Sequence, residues 1–269
     1  MNYHQLDPFT DGINWSFLMK ALPKLGGSWK QAYHDMILTK TVPNDAMRFG
    51  TLVHGLILEP ELFDEQFVIA PPGLSKRTKA YKAMVEMNAT KTVVTQEDME
   101  RATLMRHALR LHSGANTVLW GSNAVCEEVI QGTMQIDNEA IPVRAKLDLQ
   151  YWLGEDLVVA DLKTTKSIAW PDFKRSILNY GYLGQIAFYM DIVGAQHAQL
   201  VVVQSVPPHQ VMIVNFSAEA LDLGRGIYTE LLRQYIPLRK AELEDPGIQN
   251  WPGCDNERTF RLEDVPAWW

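Results

Sequence analysis

The stretch from Pro142 to Thr165 constrains this chain more than any other. It reads as two β-like segments, 142–149 and 156–165, joined by the polar turn Leu153-Gly154-Glu155-Asp156. Both segments carry acids that a core strand ordinarily avoids: Asp148 closes the first apolar run, and Asp161 follows the run from Leu157 to Ala160. Lys163 lies two residues past Asp161, so on a strand both side chains leave the same face. Antiparallel pairing through the turn brings Asp148 alongside Asp161. Two carboxylates and an ammonium on one face of a buried sheet are costly to desolvate. A divalent cation would offset the two acids, and hard oxygen ligands suit magnesium or manganese. Because D-x-K is a short pattern, the same residues also read as an exposed hairpin edge closed by an Asp161–Lys163 salt bridge.

The rest of the composition narrows the class of protein. With 269 residues, 46% hydrophobic and 21% charged, the chain has material for a substantial core. A formal charge of −7 argues against a protein coated in basic surface, yet a local basic channel remains compatible with it. Cys126 and Cys254 are the two cysteines, too few for a disulfide scaffold or a four-cysteine metal or iron–sulfur site. No run approaches the roughly 18 apolar residues of a membrane span. The segment Met1-Asn2-Tyr3-His4-Gln5-Leu6-Asp7 lacks the basic and apolar regions of a signal peptide. The expectation is a cytoplasmic protein without a membrane partner.

Taken in order, helical spacing covers 13–22 and is stopped by Pro23 and Gly26-Gly27, and Ser28 caps a second helix over 29–38. Trp15, Phe17, Trp29 and Tyr33 read as core residues. Asn44 or Asp45 caps a helix through Leu58, ended by Glu59-Pro60. Gly50 and Gly55 weaken that helix, which implies a close approach to its backbone. His54 shares a face with Gly50; it is either a hydrogen-bonded core histidine or a site residue. Phe67 to Ala70 is a strand. Lys76, Arg77, Lys79 and Lys82 then gather four cations in seven residues, either a phosphate contact or a solvated helix start.

Thr95 with Asp98 opens a helix to about His112, whose charged face, including Arg101, reads as solvent-exposed. Two strands are expected over 125–130 and 133–136, with a turn at Gln131-Gly132. Glu127 and Glu128 interrupt the first; one of them points toward Asp148, or both are edge-strand acids. Helices follow over 170–179 and 184–193, the second preceded by Tyr180 and Tyr182 and placing Gln185 and Tyr189 on one face. Strands over 200–206 and 211–216 lead to a last helix from Ser217 to about Glu244. In the turn-rich tail from Pro246 to Trp269, Trp268 and Trp269 are expected to cover a groove on this chain or a neighbour. This order predicts a single α/β (α+β) domain over 1–269: a central mixed β-sheet flanked by helices, with a core of about 45–215 and a C-terminal helix and tail over 217–269.

Four of these segments together carry a resemblance. The run Phe49-Gly50-Thr51-Leu52-Val53-His54-Gly55-Leu56-Ile57-Leu58-Glu59-Pro60 looks like the histidine helix of the PD-(D/E)XK nuclease superfamily, in the branch of RecE-type exodeoxyribonuclease VIII and its phage relatives. Arg144-Ala145-Lys146-Leu147-Asp148 is similar to its first carboxylate strand, and Val159-Ala160-Asp161-Leu162-Lys163-Thr164-Thr165 to its D-x-K strand. Tyr182 to Tyr189 resembles its Q-xxx-Y helix.

The resemblance implies a restriction-endonuclease-like core in which His54, Asp148, Asp161 and the main-chain carbonyl of Leu162 bind Mg2+, or Mn2+ in its place. Lys163 is then expected to orient or help deprotonate the attacking water, and Gln185 and Tyr189 to hold the scissile strand or buttress Lys163. Lys76, Arg77, Lys79 and Lys166, together with Lys82, Lys174 and Arg175, are expected at phosphates. The activity implied is digestion of one strand of linear duplex DNA from its 5′ end, leaving a 3′ single strand for a RecT-type annealing partner. A toroidal homo-oligomer, trimer or tetramer, is also implied. The alternatives are an endonuclease on the same fold and a catalytically silent module binding DNA ends or a partner; a silent copy has no need of an intact Asp148, Asp161 and Lys163.

Overall fold

The computed structural model describes residues 6–39, 43–247, 249 and 251–253. Helix starts follow local chemistry. Asn14 caps α1 (Trp15–Lys20), Ser28 caps α2 (Trp29–Tyr33), which continues as a π-helical stretch to Leu38, and Asn44 caps α3 (Asp45–Leu58). In each case a side-chain oxygen accepts from a backbone N–H three residues on, satisfying a donor that the helix cannot. A short α4 (Phe63–Gln66) leads into β1 (Phe67–Ile69); α5 (Lys79–Met87) precedes β2 (Thr92–Val94), which pairs in parallel with β1. Thr95 caps α6 (Gln96–Leu111), and α7 (Ser113–Trp120) follows.

The main sheet contains β3 (Val125–Ile136), β4 (Glu139–Leu153), β5 (Asp156–Thr165), β6 (His197–Gln204) and β7 (Val211–Asn215), in that spatial order. All neighbours are antiparallel except β5 and β6, whose crossover is made by α8 (Trp170–Asn179) and α9 (Tyr182–Val193); α10 (Ala218–Glu244) closes the described fold. The sheet is therefore mixed and covered on both faces, as expected. One face packs on α1, α2, α9 and α10 through Val143, Ala145, Leu147, Val159 and Leu200; the other packs on α3, α6 and α7 through Leu149, Tyr151, Val158, Ala160 and Leu162. Trp15, Phe17, Trp29 and Tyr33 all lie in the first core. The C-terminal residues 254–269, including Cys254, Trp268 and Trp269, lie outside the described residues. No helix among the described residues is long and apolar enough to cross a membrane.

One expectation needs correction. The turn predicted at Gln131-Gly132 is absent: β3 runs straight through, with Gly132 opposite Val143, and the chain reverses at Asp137-Asn138, where Asp137 takes a φ of 53°. A Cβ on Gly132 would meet only ordinary contacts, 3.8 Å from Ile192 of α9, so the strand accommodates glycine there without requiring it. The short strand β2 carried no sequence expectation, since three apolar residues before a cap are too few to show a period.

The sheet opens where the acids stand. The β4–β5 ladder ends at Leu149 opposite Ala160, and the next residues, Asp148 and Asp161, are unpaired with one another. On the other side, the β3–β4 ladder skips the rung that sets Glu127 against Asp148. Alternation along β4 slips there too: Val143, Ala145 and Leu147 face one core, whereas Leu149 and Tyr151 face the other. Ile13 occupies the edge that β5 leaves, bonding to the Pro142 carbonyl and accepting from the Arg144 N–H.

Close packing of α9 on α1 gives a direct test. A Cβ at Gly184 would lie 2.2 Å from the Trp15 ring. Gly184→Ala is expected to destabilise the fold by about 1–3 kcal/mol through overpacking, despite a helix-propensity gain near ~1 kcal/mol. Urea denaturation measures it, and an unchanged midpoint would refute the contact.

Candidate active site

Four elements converge at the splayed rung. His54 projects from α3, Glu127 from β3, Asp148 from β4, and Asp161 and Lys163 from β5. Ligand atoms of His54, Glu127 and Asp148 all lie within 4.8 Å of one another. His54 Nδ1 is 3.5 Å from Asp148 Oδ2, and the same oxygen accepts the Leu162 N–H at 2.8 Å. The Leu162 carbonyl acts on the His54 imidazole as a hydrogen-bond acceptor, while the Leu162 side chain is buried in the core. Leu162 thus lines the site through its backbone.

Asp161, only 2% exposed, pairs with Lys163: Oδ2 to Nζ is 2.5 Å, and that carboxylate oxygen has no well-directed hydrogen bond. Lys163 Nζ donates to Gln185 Oε1 at 3.0 Å and stands 4.6 Å above the centroid of Tyr182. Gln185 Nε2 in turn donates to the Tyr189 hydroxyl at 3.2 Å. The i, i+4 spacing on α9 therefore forms a brace behind the ammonium.

Burial is the largest influence on the titration of His54, Glu127, Asp148 and Lys163. The Asp148 carboxyl is pushed up to about 8 by desolvation and then by neighbouring Asp161. Glu127 is raised by burial and by Asp148, despite the Lys146 ammonium against it. Burial, then Lys163, holds the His54 imidazole below its usual range, so it is neutral at pH 7. For Lys163, burial works downward, but Asp161 and Asp148 outweigh it and the net direction is up.

The donor set fits a divalent metal ion. One imidazole and two carboxylates lie within ligand reach of a common point, both carboxyls are raised by burial and then by a neighbouring acid, and a buried oxygen of Asp161 lacks a directed donor. His54, Glu127 and Asp148 would hold such an ion, with Asp161 and the Leu162 carbonyl beside them.

The site opens into a cleft of about 860 Å³ lined by His54, Lys163, Lys166, Lys76, Arg101 and Tyr182, among others. Only part of the predicted cationic set reaches it. Lys76 lies on the wall, paired with Asp98 at 2.7 Å, and Lys166 is exposed at the rim. Arg77 lines a neighbouring cleft, while Lys79, Lys82, Lys174 and Arg175 are exposed and absent from the wall. Arg101, expected on a merely solvated face, instead stacks 3.7 Å over Phe49 and lines the cleft. Of the two glycines in α3, Gly55 meets the predicted close approach, from the Phe67 ring; Gly50 has open space and forms cleft wall. Glu127, left undecided against Glu128 by sequence, is the acid that enters the site: its φ of 55° turns it inward, while Glu128 accepts from Gln150. An acid interrupting an apolar strand was the available signal, but it marked both residues equally.

A mixed sheet with an acid–x–lysine strand, a second acid on the neighbouring strand and an imidazole from a flanking helix defines the PD-(D/E)XK class. The chain belongs to the family described as a PDDEXK-like domain of unknown function (DUF3799), which matches residues 19–249. Among solved structures it is similar to a Eubacterium rectale protein described as a "putative exonuclease", with a TM-score of 0.62 at 12% identity over 99% of this chain and 97% of that one. At that identity the likeness is one of fold. A second structure, SSO0001, has a TM-score of 0.32 at 14% identity over 69% of this chain and 85% of the other, too low to carry weight. No curated protein matches.

Proposed function

We propose that this protein is a Mg2+- or Mn2+-dependent deoxyribonuclease that digests one strand of linear duplex DNA from its 5′ end. The observation that carries the reading is the braced Asp161–Lys163 pair standing beside the His54, Glu127 and Asp148 cluster at the floor of a cation-lined cleft. A divalent ion bound there supplies charge neutralisation at the scissile phosphate and acidifies water. Every other part of the chemistry falls to the chain's own residues.

Hydrolysis joins a water oxygen to phosphorus and breaks the bond to the 3′ oxygen, which leaves as a hydroxyl after taking up a proton. Negative charge grows on the phosphate oxygens as this happens. Lys163 is held charged by Asp161 and Asp148, so at neutral pH it donates hydrogen bonds and offsets that charge rather than removing the water's proton. Gln185 fixes its Nζ, and Tyr189 fixes Gln185. Lys76, Arg101 and Lys166 meet the backbone phosphates along the cleft, which makes binding salt-dependent. Tyr180, 58% exposed and 5.7 Å from Tyr182 between ring centroids, offers a face to an unstacked base. The 3′ strand left behind would be substrate for a strand-annealing partner, and a ring of chains would enclose the duplex; both follow from the RecE-type resemblance.

The test is cleavage of linear duplex labelled on either strand end, beside closed circular duplex, with magnesium and with chelator. Magnesium-dependent loss of the linear substrate alone, with label released first from 5′ ends, supports the reading. Cutting of the circle replaces it with an endonuclease. Absence of cleavage by folded protein with either metal leaves a DNA-end or partner-binding module. Light scattering with and without DNA reads the assembly.

A further inference from the structure

Lys146 has no part in the chemistry above, yet it stands on the cluster's outer side. Its Nζ contacts Glu127 Oε2, and it lies 3.5 Å from Glu59 Oε2, which also accepts from Gln66 at 3.2 Å. The cluster is thus flanked by two carboxylate–ammonium pairs, Asp161 with Lys163 and Glu127 with Lys146. We propose that the Lys146 ammonium is a built-in cation in the place a second divalent ion would take, between Glu127 and Glu59, and that it limits the nucleic-acid-free protein to one bound ion. The inference rests on the metal-site reading above.

The argument is one of charge and place. Glu59, Glu127, Asp148 and Asp161 are four carboxylates facing two ammoniums. With all four ionised, as metal binding requires of its ligands, the deficit is two charges, which one divalent ion satisfies. Like charges a few ångströms apart in a partly buried site repel strongly, so a second divalent ion would have to displace Lys146 from both acids. Lys146 is about one-third exposed on a strand that also carries Asp148, so it cannot retreat far without leaving Glu127 and Glu59 facing each other unpaired.

The test is a Mn2+ titration of the full chain without nucleic acid, followed by electron paramagnetic resonance, which counts unbound ion directly and reports coupling between neighbouring bound ions. Wild type is expected to bind one Mn2+ per chain, as is Lys146→Arg. Lys146→Met is expected to bind two, with an exchange-broadened spectrum, because the deficit grows and the seat between Glu59 and Glu127 opens. Adding Glu59→Gln to Lys146→Met is expected to return the count to one. Two ions in wild type, or one in folded Lys146→Met, overturns the inference while leaving the metal site intact. No bound ion in wild type removes the site itself and the inference with it. Should Lys146→Met fail to fold, Lys146→Gln, which also removes the charge, carries the same expected count of two and the same overturning count of one.

Discussion

Asp161→Asn is expected to slow cleavage of linear duplex by at least about 10²- to 10³-fold, the usual cost of losing one preorganised electrostatic contact in a transition state. The substitution keeps the shape of a side chain that is only 2% exposed, so the fold should survive it. Two losses follow from one atom. A carboxylate leaves the cation cluster, and Lys163 loses the partner 2.5 Å away that keeps its ammonium in place. Lys163→Met should cost a similar factor. Because the two act as a unit, the double variant should be little worse than either alone. Single-turnover rates at saturating magnesium measure this, with a thermal melt to confirm folding. An Asp161→Asn rate within tenfold of wild type would mean that the pair is a structural salt bridge and that the chemistry lies elsewhere.

The second large effect is a coupling of pH, metal and stability. In the metal-free protein Asp148 holds its proton up to about 8, whereas in the unfolded chain it gives it up near the ordinary carboxylate value of 3.8. A group whose folded pKa is raised stabilises fully below the unfolded value, and that stabilisation is lost as pH rises through the folded one. Glu127, also raised, acts in the same direction. His54, lowered on folding, works oppositely but only at pH values up to its ordinary 6.5. Between pH 6.5 and 8 the carboxyl contribution therefore stands clear, with a slope of at most ~1.4 kcal/mol per pH unit per proton. Stability with chelator is expected to fall across this window, and magnesium, which requires the ionised carboxylates, should abolish the slope and raise the melting temperature more at pH 8 than at pH 6.5. Urea denaturation at both pH values, with magnesium and with chelator, reads the effect. A flat chelator profile would mean that Asp148 is ionised without metal. Asp148→Asn should remove the larger part of the slope, leaving only what Glu127 contributes.

How far the sequence reaches depends on the range of the interaction concerned. Ser28, Asn44, Thr95 and Ser217 mark helix starts that the structure reproduces, because a cap is closed by a backbone N–H three residues away and needs nothing distant. The central hairpin was legible for the same reason: a tight turn, with Gly154 at a φ of 66°, sets the register of the two strands beside it. Gln131-Gly132 misled because turn propensity is local, whereas the continuation of β3 is decided by its pairing with β4, where Gly132 stands opposite Val143.

The residue types of the site were therefore set by sequence: an acid and a lysine two apart on one strand, an acid on the next, a histidine on a helix, and a glutamine four before a tyrosine. Tertiary structure decided which atoms meet. It chose Glu127 over Glu128 through a single backbone kink, moved Arg101 and Lys76 onto the cleft wall while leaving Arg77 and Lys79 off it, and set Lys146 between two acids from different elements. None of these follows from spacing, because each depends on contacts between residues far apart in the chain: Lys76 with Asp98, Arg101 with Phe49, and Lys146 with Glu59 and Glu127.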